Sequence, residues 1–254
     1  MQSMLMAINW DVDPVMFSVF GFEIRYYGML WGAAFLVGYV VLKRMWKAEG
    51  VDVASLDRVL IWTMLGGVLG ARLGHVFFYG PYFTPAGDGF FDDPISILNI
   101  RGGGMASHGG ALGILITLYI LVRREKKKFD GKYFLWILDR VAIGSALGAF
   151  FIRMGNLMNH EIVGDPTDSA FGFMFSRVIE ADGTIVPRHP AQLYEAICYF
   201  VIFIILMLLY WKTKMKSKGG MLFGWFLVLL FTARFFVEFV KVQQTHLVEN
   251  PVLQ

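Results

Sequence analysis

Apolar residues run along this chain in six long stretches, 26–42, 56–79, 105–122, 133–152, 191–211 and 221–240. A helix rises about 1.5 Å per residue, so roughly 17–25 apolar residues cross the hydrocarbon core of a bilayer. Each stretch meets that length, the first at its short limit, and six transmembrane helices are predicted. The segment 15–24 is also apolar, but Pro14, Ser18, Gly21 and Glu23 break it, so it is expected to lie along the membrane interface. Residues 1–10 lack the basic start and apolar run of a cleavable signal peptide. The predicted class is an all-α polytopic membrane protein. Residues 1–254 form a single integral membrane domain in this reading, with 1–25 as an interfacial N-terminal segment.

Composition strengthens that reading. Hydrophobic residues make up 56% of the chain and charged residues only 17%, against about 25% charged in soluble domains. A disordered binding tail is excluded. A disulfide scaffold is excluded too, because the single cysteine, Cys198, has no partner within the chain.

The placement of charge sets direction. Of the 23 Lys and Arg residues, 13 fall in the three connections after the first, third and fifth stretches, and Arg58 stands just inside the second stretch next to the first of them. Under the positive-inside rule these connections face the cytoplasm. The N-terminus and the loops 80–104 and 153–190 then face outward. The second of these outward loops is an extracytoplasmic region of 38 residues, and long connections of this kind usually carry function. Activity is expected on the outer side.

Ionisable groups at membrane depth are costly, so each is a functional candidate until it has a structural partner. Within or at the edges of the stretches lie Arg72, His75, His108, Asp139, Arg140, Glu195, Arg234 and Glu238, with Arg153 just beyond the fourth. The predicted sixth helix leaves Arg234 about 10 Å short of its outer end. Arg153 caps the fourth helix, while His108 and Tyr27 open the third and first. Four polar groups thus converge in the outer half of the bilayer. Arg234 and Glu238 stand i, i+4, which fits an ion pair on one helix face. Asp139 and Arg140, near the inner surface, read as structurally paired or snorkelling. His75 reads as a hydrogen-bonded packing residue and Cys198 as a small buried apolar one. Two guanidiniums in a poorly hydrated volume call for an anion, and arginine matches phosphate by bidentate hydrogen bonding. The nearest abundant anion is a phospholipid headgroup.

Gly66, Gly70 and Gly74 recur every fourth residue, a spacing that permits close helix packing. The glycines around Ser107 and His108 lie at a loop-to-helix junction, where free N–H groups and the helix dipole favour an anion. The string His160-Glu-Ile-Val-Gly164 begins like a helical zinc signature but lacks its second histidine. Nothing in the chain calls for a metal or organic cofactor.

Four blocks carry a specific likeness: Arg153-Met-Gly-Asn156-Leu-Met-Asn159-His-Glu161-Ile-Val-Gly164, Ser107-His108-Gly109-Gly110, Arg188-His189-Pro190-Ala-Gln192-Leu-Tyr194-Glu195 and Arg234-Phe-Phe-Val-Glu238. With Arg25-Tyr26-Tyr27-Gly28 at the first helix, they resemble the prolipoprotein diacylglyceryl transferases of bacterial membranes. The blocks occur in family order over nearly the whole chain. The family usually has Gly where this chain has His160, and it is expected to have a seventh helix, whereas this chain shows six stretches and stops at Gln254.

The resemblance implies transfer of a diacylglyceryl group from phosphatidylglycerol to the lipobox cysteine of a preprolipoprotein. A thioether forms and glycerol phosphate leaves. It implies a multi-pass protein of the bacterial inner membrane with its active site on the extracytoplasmic side. The expected partners are phosphatidylglycerol, preprolipoprotein lipobox segments and the bilayer, with no nucleic acid among them. Arg153 is expected to bind the lipid phosphate and Arg234 to hold charge developing on the leaving group. His108 is the candidate base. Tyr27, Asn156, Asn159, Glu161 and Gly164 are expected to line the headgroup site, with Glu238 positioning Arg234. The competing reading is a transporter or flippase for an anionic lipid or solute, with the two arginines as its binding site.

Overall fold

Uninterrupted apolar runs, with prolines confined to the connections, leave the helix as the only way to satisfy backbone groups in lipid. The computed structural model describes residues 7–78, 104–125 and 134–241. Six helices stand among them: α1 (Tyr26–Ala48), α2 (Ala54–Phe78), α3 (Ser107–Arg124), α4 (Phe134–Met158), α5 (Ala191–Lys212) and α6 (Met221–Glu238). Five are long and apolar enough to cross a membrane. The 18-residue α3 is not among them, since Ser107-His108-Gly-Gly opens it and Arg123-Arg124 closes it. Most of the expected outward loop 80–104, with Arg101, and the basic residues Lys126, Lys127, Lys128 and Lys132 lie outside the described residues, as do residues 1–6.

Two helices run past their apolar stretches. The first continues through Lys43, Arg44 and Lys47 to Ala48, because nothing in that basic segment breaks a helix. The fourth continues to Met158. Arg153 therefore sits inside α4 rather than capping it, and the connection that follows begins at Asn159.

Small strands accompany the helices. The segment expected along the interface is a hairpin of β2 (Val15–Val19) and β3 (Phe22–Arg25), following β1 (Ile8–Trp10). Phe20 and Gly21 turn it, with φ of 49° and 83°, as a two-residue loop of the right-handed hairpin twist requires. Phe20 is 99% exposed at the tip. The hairpin feeds directly into α1, where the Tyr26 N–H donates to the Pro14 carbonyl at 3.0 Å.

The chain divides into two compact units, residues 43–137 and residues 1–42 with 138–254. In the first, α2 and α3 pack through glycine. A Cβ on Gly66 would lie 2.6 Å from the Gly113 carbonyl oxygen, and one on Gly70 2.4 Å from that of Gly109. The Thr117 hydroxyl crosses to the Trp62 carbonyl at 2.9 Å. The predicted packing role of Gly66, Gly70 and Gly74 holds. Gly109, among the glycines expected to turn backbone toward an anion, is also half of that packing. Trp46 donates to Ser55 and Trp136 to Glu49, at 2.9 and 2.7 Å, with the indoles edge to face.

In the second unit, β1 pairs in parallel with β4 (Phe173–Phe175). Leu157, Phe173, Phe175 and Val178 form a small core there, joined by Trp10. Trp10 also donates from Nε1 to the Leu157 carbonyl at 3.1 Å, tying the N-terminal strand to the end of α4. At the other end of α4, the Asp139 carboxylate accepts the N–H groups of Gly220 and Phe223 at 2.9 and 2.8 Å. It thereby caps α6 from a neighbouring helix. Arg140 donates to the Lys216 carbonyl and stacks over Tyr210. This pair is structural, as one of the two predicted alternatives had it.

Candidate active site

The site begins where α4 runs out. The N–H groups of Asn159, His160 and Glu161 bond back to the carbonyls of Gly155, Leu157 and Asn156 at 3.0–3.2 Å. The chain then turns through two residues with left-handed backbone, His160 at φ 58° and Ile162 at φ 57°. Glycine alone takes such angles without cost, which accounts for the family's usual Gly at position 160. Here the imidazole is buried, donates from Nε2 to the Val12 carbonyl at 2.9 Å, and meets Phe175 edge-on.

This turn folds Glu161 back over the helix end. Its carboxylate accepts from Asn156 and Asn159, each at 3.1 Å. Arg153 donates to Asn156 at 3.4 Å and pairs through Nε with Glu195 on α5 at 2.7 Å. Tyr27, at the start of α1, lies within electrostatic reach of Glu161 and Arg153. Its ring packs so closely over Gly155 that a Cβ there would lie 2.7 Å from Cδ2. Five of the predicted residues, Tyr27, Arg153, Asn156, Asn159 and Glu161, thus form one polar group.

A second group adjoins it through Glu195. Lys241 follows α6, is buried, and faces Glu195 at 3.9 Å. Both Lys241 and Tyr199 lie within electrostatic reach of Arg153 and Arg234. The two predicted guanidiniums therefore share one neighbourhood. Glu238 also acts on Lys241. Burial, with the charges of Arg153 and Arg234, pushes the Lys241 ammonium below the usual lysine range, against the pull of Glu195 and Glu238. The i, i+4 ion pair of Arg234 with Glu238 is not formed among the described residues; both side chains are exposed on α6.

Gly164 belongs to the site by backbone rather than as a lining group. It forms an antiparallel bridge with Lys241, donates to the His189 carbonyl at 2.8 Å, and accepts from Arg188 at 3.1 Å. A Cβ on Gly164 would lie 2.4 Å from the Val240 oxygen. Only hydrogen fits, and the packing holds Lys241 in place. His108 belongs to the other unit, exposed in the first turn of α3.

Two residues escaped the site prediction. Glu195 was recognised as an ionisable group at membrane depth without a partner to give it a role. Lys241 follows the last apolar stretch, and nothing in its position along the sequence marks it as part of a site. Among the described residues no group of three or more His, Cys, Asp or Glu side chains is placed to hold a metal ion.

Residues 14–253 match the family described as prolipoprotein diacylglyceryl transferase. Three relatives bear the name phosphatidylglycerol–prolipoprotein diacylglyceryl transferase. The one from Tolumonas auensis is 41% identical over 92% of this chain and 85% of its own length. That from Bacteroides fragilis is 38% identical over 96% and 87%, and that from Chloroherpeton thalassium 41% identical over 93% and 83%. A match of this breadth, over residues that converge on one cluster of arginine, asparagine and carboxylate, establishes that the chain belongs to the prolipoprotein diacylglyceryl transferase family.

Proposed function

We propose that this chain moves the diacylglyceryl group of phosphatidylglycerol onto the lipobox cysteine of prolipoproteins. The cysteine sulfur attacks the glycerol carbon that bears the phosphate. A C–S bond forms, the C–O bond to phosphate breaks, and glycerol phosphate departs with the bonding electrons while the thiol proton passes to a base. The reading rests on family membership and above all on the shared neighbourhood of Arg153 and Arg234. Fixed positive charge in a water-poor place stabilises a departing phosphate more than it stabilises the bound ester.

In this reading Arg153 holds the lipid phosphate and Arg234 meets charge on the leaving group. Tyr27, Asn156, Asn159 and Glu161 hydrogen-bond the headgroup. Glu238, expected to position Arg234, would do so only in a rearranged α6 end, since the two do not pair with each other among the described residues. Gly164 acts by close packing. His108 is the candidate base, since imidazole titrates near neutrality. The enzyme sits in the bacterial inner membrane with α3 as its sixth span, its N-terminus outside and its site on the extracytoplasmic side. The basic connections after α1 and α5 fit that orientation. The exposed apolar hairpin β2–β3 fits an interfacial segment. Transport is not favoured, because neither the family nor the relatives' names point to it.

The test is transfer from labelled phosphatidylglycerol to a lipobox peptide, read as peptide mass and released glycerol phosphate. Arg153→Ala and Arg234→Ala are each expected to lower kcat/KM about 10²–10³-fold with the fold intact. Near-normal rates would remove both from the mechanism. An unchanged pH–rate profile in His108→Gln would end its assignment as base.

A further inference from the structure

The Arg153–Glu195 pair has an unusual geometry. Glu195 takes the Nε edge of the guanidinium at 2.7 Å. Its second oxygen faces Lys241 at 3.9 Å. One carboxylate therefore stands between two cations contributed by different segments, and it is almost fully buried, at 2% exposure. The edge it takes is not the Nη1–Nη2 fork, which suits bidentate contact with phosphate. Glu195 thus holds Arg153 at Nε, while Nη1 donates to Asn156 at 3.4 Å.

Lys241 is fixed as firmly. Its backbone forms the bridge with Gly164, and the Asp165 N–H donates to the neighbouring Val240 carbonyl at 3.0 Å. Around its ammonium stand Glu195 from α5, Arg153 from α4, and Arg234 and Glu238 from α6. Arg234, Glu238 and the Glu161 carboxylate beside Arg153 are exposed, whereas Arg153 and Lys241 share one buried carboxylate, Glu195, so the enclosed part of the group holds two cations to one carboxylate. Burying excess charge is expensive unless an anion is meant to arrive.

We propose that Lys241 is a third cation of the headgroup-phosphate site and that Glu195, shared between Lys241 and Arg153, is the residue that positions both. The proposal rests on the reading of the chain as a phosphatidylglycerol-dependent transferase. It adds a ligand for the phosphate and gives Glu195 a role as counter-charge. With burial holding Lys241 below the usual lysine range, the free enzyme loses this cation at high pH before an arginine there would lose its charge.

The experiment uses the purified chain, phosphatidylglycerol and a lipobox peptide, with Lys241→Gln, Lys241→Arg and Glu195→Gln. Lys241→Gln is expected to raise KM for the lipid about tenfold or more, with a smaller change in kcat, as loss of a charge-assisted contact made in the ground state does. Lys241→Arg should restore KM and remove the alkaline fall in kcat/KM that the wild type shows. Glu195→Gln should move that fall to lower pH, because the carboxylate that favours the charged amine is gone. An unchanged KM in Lys241→Gln overturns the proposal. So does a folded Lys241→Arg enzyme that fails to restore KM, or one whose alkaline limb coincides with the wild type. Should Lys241→Gln fail to fold, the Lys241→Arg profile decides alone. A wild-type chain that transfers nothing defeats the underlying reading. An active wild type with indifferent Lys241 variants defeats only this proposal.

Discussion

Helix α4 carries a buried charged group toward each end, and the two are built on opposite plans. Asp139 and Arg140 are sealed, each at 0% exposure, and balance one another. The Asp139 carboxylate also takes two backbone N–H groups at the start of α6, and Arg140 spends itself on a carbonyl and a tyrosine ring. Every charge there has an internal partner. At the other end Arg153 has 14% of its side chain exposed and belongs to a group with positive charge in excess. Neutral and closed marks a brace; cationic and partly open marks a place for an anion. Depth in the membrane does not separate these roles, but charge balance does.

The comparison can be broken at either end. Asp139→Ala leaves Arg140 buried without its counter-ion and α6 without its cap. It should cost about 3–5 kcal/mol of stability, seen as an earlier denaturation midpoint in detergent, with transfer per folded molecule unchanged. A loss of turnover in the folded fraction would show that this pair is not merely a brace. Gly164→Ala acts at the opposite end. Its methyl group meets the Val240 oxygen, so strain of about 1–3 kcal/mol is expected, together with a fall in kcat/KM larger than that strain predicts, because Lys241 moves. A variant with wild-type kinetics would separate Gly164 from the site. The smallest effect belongs to His160→Gly. It loses the bond to Val12 and relieves a left-handed backbone, so stability should change by less than about 1 kcal/mol. A large loss by the same denaturation assay would mean that the imidazole, not the turn, holds this corner.

Much of this was legible in the sequence, and the exceptions follow a pattern. The helices were visible because apolar runs of membrane length have few alternatives, and the glycines of α2 announced their packing by their spacing. The end of α4 was missed because a search for apolar stretches stops at Arg153, although nothing in Arg153-Met-Gly-Asn-Leu-Met breaks a helix. The hairpin and the β1–β4 pair were missed for a different reason. Three-residue strands from distant parts of the chain leave no periodic trace, and their pairing is decided by contacts that sequence order does not display. The same holds for the site. The arginines and asparagines stood out by residue type, whereas Glu195 and Lys241 acquire meaning only once α5 and the segment after α6 are brought together.

The register of Ile8 with Phe173 has a consequence for how the molecule is made. At roughly 5–20 residues per second, the first strand waits on the order of 10–30 s for its partner to emerge, and Gly164 waits about half as long for Lys241. A nascent chain halted before α6 would own Arg153 but neither Arg234 nor Lys241. Binding competence therefore waits for α6 and Lys241 beyond it to leave the ribosome.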